Sequence, residues 1–136
     1  MIIVLDTNVL ISGILKPYSK AATILRLVAD GMIQLAYDLR LLSEYRDVLN
    51  RPKFNFAKED VEAFLDEVEK EGLLVSGRPL KFHLPDPDDE PFLEVALSAK
   101  GKAIVTGNKR HFPRKEYEGV KILSPAEFLE LSKGKI

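Results

Sequence analysis

MIIVLDTNVLI, residues 1–11, decides the fold class. Residues 2–5 (IIVL) form an unbroken apolar run, the pattern of a strand buried on both faces of a parallel sheet. The run meets Asp6, Thr7 and Asn8 before apolar residues resume. In open α/β sheets ligands bind beyond the carboxyl ends of the strands. A carboxylate at the mouth of a buried first strand stands where a site is expected, so Asp6 is a candidate metal or substrate ligand.

Beyond this strand the sequence alternates between helical and strand patterns. A loop containing Gly13 and Pro17 leads to a predicted helix over 19–30 (SKAATILRLVAD), with Ser19 as N-cap and Gly31 as stop. A short strand is predicted over 33–36. It is followed by a helix over 39–50 (LRLLSEYRDVLN) that ends before Pro52 and carries Glu44 among Leu41, Leu42 and Val48. Residues 58–71 place Val61, Phe64, Leu65 and Val68 on one stripe, and the acidic remainder reads as a solvated face. Residues 73–84 read as a short strand plus loop. DPDDEP at 86–91 is turn and helix-entry chemistry before FLEVALSAK. AIVT (103–106) and 120–123 are the last two predicted strands, and Pro125 opens a terminal helix. Strands alternating with helices predict an α/β fold with a mainly parallel sheet, and 136 residues fit one domain, 1–136.

Composition narrows the chemistry. With 46% hydrophobic and 30% charged residues and no apolar run of membrane-spanning length, neither disorder nor a membrane span is expected. The apolar start is far shorter than a signal-peptide core and is followed at once by an acid, so a cytoplasmic location is expected. The absence of cysteine excludes disulfides, thiolate metal sites and cysteine nucleophiles, which leaves oxygen donors, His83 and His111 to hold any metal. A net charge of −1 gives no global attraction to a polyanion, so a nucleic-acid partner requires a local basic patch.

Polar groups recur at the predicted element ends: Asp6 after the first strand, Asp86, Asp88, Asp89 and Glu90 before a helix, and Thr106, Gly107 and Asn108 after a late strand. In a parallel sheet these ends share an edge, and Glu44 reaches it if its helix packs alongside. Carboxylates drawn together repel and hold protons more tightly unless a cation neutralises them. Hard oxygen donors suit Mg²⁺ or Mn²⁺, and such an ion can activate water for phosphodiester hydrolysis. Taken singly, each residue has a plainer role: Asp6 in an Asx-turn, Asp88 or Asp89 as an N-cap, Glu44 as a surface acid.

LDTNVLIS (5–12), LLSEYRDVL (41–49), DPDDEPFLEVAL (86–97) and AIVTGNKRHF (103–112), in this order and spacing, resemble the PIN-domain family, in particular its toxin branch. The resemblance spans nearly the whole chain. It implies a three-layer α/β/α fold and a metal-dependent ribonuclease acting on single-stranded RNA, homodimeric and neutralised by a small antitoxin protein. It assigns Asp6, Glu44 and Asp89 as the acids that hold Mg²⁺ or Mn²⁺, with Asp88 as the near competitor of Asp89. It also gives Thr7 and Asn8 the role of orienting Asp6, and Thr106 a supporting one. The family's fourth acid is Asn108 in this sequence, which removes one charge and puts a second metal in doubt.

The run KRHFPRK (109–115) follows Asn108 and supplies the missing basic patch, with Lys109, Arg110, Arg114 and Lys115 as candidate phosphate contacts. Phe112, Tyr45 and Tyr18 are candidates to stack on an unpaired base, the alternative being a solvated loop with Phe112 in the core. Neither His83 nor His111 is required by this chemistry. Two other readings stay open: an RNA-binding or interaction module without catalysis, and a metal-dependent phosphatase acting on small substrates. A dehalogenase-type phosphatase is disfavoured because its second Asp position is Asn8.

Overall fold

The computed structural model describes residues 1–135. The chain runs β1 (Ile2–Leu5), α1 (Thr7–Leu15), α2 (Lys20–Ala29), β2 (Gln34–Tyr37), α3 (Leu39–Leu49), α4 (Lys58–Glu71), β3 (Leu73–Leu74), α5 (Glu90–Ser98), β4 (Ala103–Val105), β5 (Glu116–Tyr117), β6 (Val120–Leu123) and α6 (Pro125–Ser132). Short 3₁₀ turns lie at Pro52–Phe54, Pro87–Asp89 and Lys109–His111. The six strands form one sheet in the order β3-β2-β1-β4-β6-β5, parallel throughout except for the β5–β6 pair.

Ile3, Val4 and Leu5 of β1, and Ala103, Ile104 and Val105 of β4, are all buried. Successive strand side chains point to opposite faces, so both faces of the sheet centre are covered. One helical layer packs α1 and α2 together with α6, which lies on β4 and β6. The other places α5 across β1, β2 and β4 beside α3 and α4. This is the α/β/α architecture with a mainly parallel sheet that the sequence predicts. Each aliphatic side chain enclosed this way contributes about 1.5–3 kcal/mol. The strand order places successive crossovers on opposite sides of β1, so the carboxyl ends of β1 and β4 form the switch point where open α/β sheets place ligands.

Three local features differ from the sequence reading. The expected loop after Asn8 is in fact α1, whose TNVLISGIL is apolar on nearly every side and therefore shows no helical stripe. Gly13 lies inside it as a packing residue: a Cβ there would stand 2.6 Å from Leu25 Cδ1 and 3.1 Å from the Ala21 carbonyl, so α2 crosses closely only because Gly13 has no side chain. The second difference is a hairpin. β5 and β6 are joined by Glu118 (φ 47°) and Gly119 (φ 89°), the paired positive dihedrals of a two-residue turn that matches strand twist. Third, residues 78–84 lie along α5 as a strap: backbone N–H groups of Arg78, Leu80 and Leu84 donate to Ser98 Oγ (3.2 Å), Glu94 Oε2 (3.2 Å) and Glu90 Oε2 (3.0 Å). Those acceptors are four residues apart on the helix and so share one face.

Candidate functional site

Asp6 ends the β1 ladder and begins α1. Its N–H donates to Val105 O at 3.0 Å, tying it to β4, and its backbone is extended as an N-cap requires. Its side chain does not cap the helix. Instead Asp6 Oδ2 accepts from the Thr106 hydroxyl at 2.7 Å and from the Asn8 amide at 3.4 Å. Thr106, fully buried after β4, also accepts from the Asn108 N–H at 3.0 Å, and Asn8 Oδ1 accepts from the Gly107 N–H at 3.1 Å. Residues far apart in sequence are thereby locked around one carboxylate.

Glu44 is exposed on α3, but its Oε2 accepts from the Thr7 hydroxyl at 2.9 Å, which brings it to the same edge. The adjacent Tyr45 is buried, and its hydroxyl donates to Leu5 O at 2.6 Å, fixing α3 to the end of β1. A groove of about 460 Å³ runs from Thr7 and Glu44 between α1 and α3, past Lys16, Arg51 and Phe54.

The 3₁₀ turn before α5 delivers the third acid. Asp86 caps the turn through the Asp88 N–H (2.9 Å), Asp88 is exposed, and Asp89 is only 8% exposed. Asp89 Oδ2 is a buried oxygen that accepts no well-formed hydrogen bond; His111 Nδ1 lies 3.3 Å from it, at ion-pair separation. His111 in turn sets Nε2 2.9 Å from the Asn108 side-chain amide. His111 is the residue that sequence reading kept as a possible donor and then set aside. Its only signal was its place three residues after Asn108, on a turn that lifts its ring towards α5.

The electrostatics tie these groups together. Burial raises the Asp6 carboxyl above the usual carboxylate range, against the Thr106 hydroxyl, the Thr7 N–H and the charge of His111, while Glu44 raises it further. Burial likewise pushes Asp89 up to about 6, opposed by His111 and reinforced by Asp6 and Asp86. Both carboxylates hold their protons more tightly because negative charge is crowded into a shielded edge, the situation a cation relieves. Among the described residues, no three His, Asp or Glu side chains close into a ready ligand cage. The donor set is open and one-sided. Its chemistry suits a hard divalent ion that keeps several of its waters, and the buried Asp89 oxygen, which accepts no hydrogen bond, is the point at which the His111 ring leaves negative charge incompletely compensated.

The basic run divides. Lys109 is paired with Glu127 at 2.9 Å, and Arg114 lies over the Tyr117 ring at 5.1 Å. The Lys109 contact, with the Ser124 N–H ahead of it, holds the Glu127 carboxyl below the usual range. Arg110 and Lys115 are exposed and make no ion pair among the described residues. Two stacking candidates are corrected: Phe112 is 1% exposed and belongs to the core, and Tyr45 is buried with its hydroxyl engaged, so neither can present a ring to a base. Tyr18 is fully exposed. His83 contacts Glu90 at 3.3 Å, on the strap.

Residues 2–110 match the family model described as PIN domain, a stretch that includes Asp6, Glu44, Asp89 and Asn108. No curated protein sequence matches the chain. Among solved structures, VapBC2 from Rickettsia felis, bound to a DNA fragment from its promoter, is similar in fold. Its TM-score is 0.59 at 18% identity, over 91% of this chain and 98% of that chain.

Proposed function

The chain belongs to the PIN-domain family, and from that premise we propose that it is a metal-dependent endoribonuclease that cuts single-stranded RNA, the toxin of a toxin–antitoxin pair. The observation that carries the reading is the buried Asp89 oxygen, which accepts no hydrogen bond and has only the His111 ring against it at 3.3 Å, within electrostatic reach of Asp6 at the carboxyl edge of the sheet. Asp6, Glu44 and Asp89 hold the ion. Asp88, the alternative third ligand, is exposed on the same turn, whereas Asp89 is buried, which favours Asp89. A Mg²⁺ or Mn²⁺ ion bound by these residues supplies water activation and charge neutralisation at a scissile phosphate.

The chain's own groups do the positioning. Thr106 and Asn8 fix the Asp6 carboxylate, Thr7 fixes Glu44, and Tyr45 holds the strand end on which Asp6 sits. Asn108 anchors the His111 ring beside Asp89. Arg110 and Lys115, unpaired at the rim, take the phosphates of the strand, while Lys109 and Arg114 contribute only by leaving Glu127 and Tyr117. A homodimer and a small antitoxin partner belong to the same reading and rest on the sequence resemblance. So does a cytoplasmic location; no helix among the described residues is long and apolar enough to cross a membrane.

The test is cleavage of an RNA carrying single-stranded loops, with and without Mg²⁺ or Mn²⁺, by the wild type and Asp6→Asn. Metal-dependent cleavage by the wild type alone is expected. RNA binding without cleavage would make the chain a non-catalytic module. Turnover of phosphomonoesters without RNA cleavage would make it a phosphatase.

A further inference from the structure

We propose that His111 is itself a donor to the ion held by Asp89, with Asn108 fixing its ring, so that the site ranks Mn²⁺ above Mg²⁺. The inference rests on the metal-dependent reading above and deepens it. Its starting point is the replacement of a fourth carboxylate by a neutral amide at Asn108: the rim after β4 carries one charge less than a four-acid site. What stands next to Asn108 is an imidazole, and its two nitrogens are not spent on solvent. Nε2 lies 2.9 Å from the Asn108 amide and Nδ1 lies 3.3 Å from the orphaned Asp89 oxygen.

Two neighbouring donors on a six-coordinate ion with bonds of roughly 2.1 Å lie about 3 Å apart. The 3.3 Å between His111 Nδ1 and Asp89 Oδ2 is therefore close to the spacing of two ligands of one ion, and a turn of the half-exposed His111 ring is what aims both at it. A ligating histidine characteristically uses its other ring nitrogen as an N–H donor to a fixed oxygen. Asn108 can supply that oxygen. Its Oδ1 accepts only a long bond from the Arg110 N–H, 3.3 Å, and its Nδ2 faces the ring. Turning the amide over exchanges that weak bond for a bond from Nε2–H. The charged ring that faces Asp89 gives its Nδ1 proton to solvent as the ion binds and keeps Nε2–H for Asn108, so one proton is released and the Nδ1 lone pair is freed for the ion.

The consequence is selectivity. Mg²⁺ is a hard ion that prefers oxygen and parts reluctantly with water, whereas first-row transition ions gain from a nitrogen donor. A carboxylate in the fourth place would leave Mg²⁺ competitive; an imidazole does not.

The experiment measures Mn²⁺ binding, and Mg²⁺ as its competitor, to the whole chain without RNA. It compares the wild type with His111→Ala, Asn108→Ala and Asp6→Asn, each checked for folding by circular dichroism. The Mn²⁺ electron spin echo is recorded for each. The wild type should show nitrogen modulation from one imidazole, and His111→Ala should abolish it, with Mn²⁺ affinity falling at least about 10-fold and Mg²⁺ affinity nearly unchanged. Asn108→Ala should keep the modulation but weaken binding. A wild-type echo without nitrogen, or a His111→Ala protein in which both ions weaken equally, would overturn the proposal and reduce His111 to an ion-pair partner of Asp89, even if the protein cuts RNA. Mn²⁺ binding untouched by Asp6→Asn would instead put the ion elsewhere and overturn the reading of the acids as well.

Discussion

Removing the charge of Asp89 should make the metal-free protein more stable while making it blind to metal. The carboxyl stands at about 6 in the folded chain against 3.8 for an unperturbed aspartate. At 1.36 kcal/mol per pKa unit the gap corresponds to at most about 3 kcal/mol, and solvent screening at the open mouth of the site reduces this to about 1–2 kcal/mol. The sign follows from linkage. A folded-state value above the unfolded one means that the folded chain binds the proton more tightly. The contribution of Asp89 is thus complete below about pH 4 and is lost as pH rises through 6. At pH 7.5 the ionised carboxylate is a net burden, and Asp89→Asn removes it. In EDTA at pH 7.5 the variant should melt about 3–10 °C above the wild type, taking roughly 3–5 °C per kcal/mol for a chain of this size. The advantage should vanish by pH 4. Adding Mn²⁺ at 100 times its dissociation constant should raise the wild type by about 2.7 kcal/mol and leave the variant where it was. A variant less stable than the wild type in EDTA at pH 7.5, an advantage that does not depend on pH, or an equal response of both proteins to metal would refute this account of the site.

Three further outcomes can be checked with simple variants. Tyr45→Phe leaves the Leu5 carbonyl without its 2.6 Å donor in a buried place and should cost about 1–3 kcal/mol in urea denaturation, with reduced cleavage because the strand end under Asp6 loosens. Gly13→Ala, which in an open helix would gain up to about 1 kcal/mol, should instead destabilise by about 1–2 kcal/mol, because the new methyl meets Leu25 and the Ala21 carbonyl; a higher melting temperature would show that α2 can move away freely. Arg110→Glu with Lys115→Glu should weaken RNA binding strongly at low salt and little at high salt, whereas Lys109→Glu should also cost stability by leaving Glu127 opposite a like charge.

The order of strands and helices was legible because β1 and β4 are short runs of uniformly apolar residues, β6 (VKIL) is apolar but for Lys121, and α3 and α4 show a clear stripe. What escaped has physical reasons. α1 carries apolar residues on its exposed side too, at Ile14 and Leu15, so its sequence lacks the polar face by which a helix is recognised, and Gly13 reads as a break when it is a contact. The β5–β6 turn uses Glu-Gly in place of the commoner Asn-Gly, and its first strand is two residues long. Of the site, Asp6 announces itself by standing after a buried strand. Glu44 does so only weakly: its place among Leu41, Leu42 and Val48 made it a candidate, but an exposed acid on a helix is hard to tell by pattern from any solvated residue, and the family resemblance is what assigned it to the site. Phe112 was masked by the charges around it, although its burial is what anchors the basic turn. The pairing of His111 with Asp89 is a tertiary fact, made by two turns that no local window contains.

The strap along α5 bears on how the third acid is kept in place. Residues 78–84 are held by three side-chain acceptors, one of them the buried Glu94, which is itself gripped by Arg40 at 2.7 Å together with Asp38. No ladder of strand pairing backs this segment, so its amides should exchange with deuterium long before those of β1 or β4. Because Asp86 and Asp89 come soon after it, an ion bound at Asp89 should slow exchange of these amides, and exchange unmoved by added metal would show that the strap opens independently of the acid.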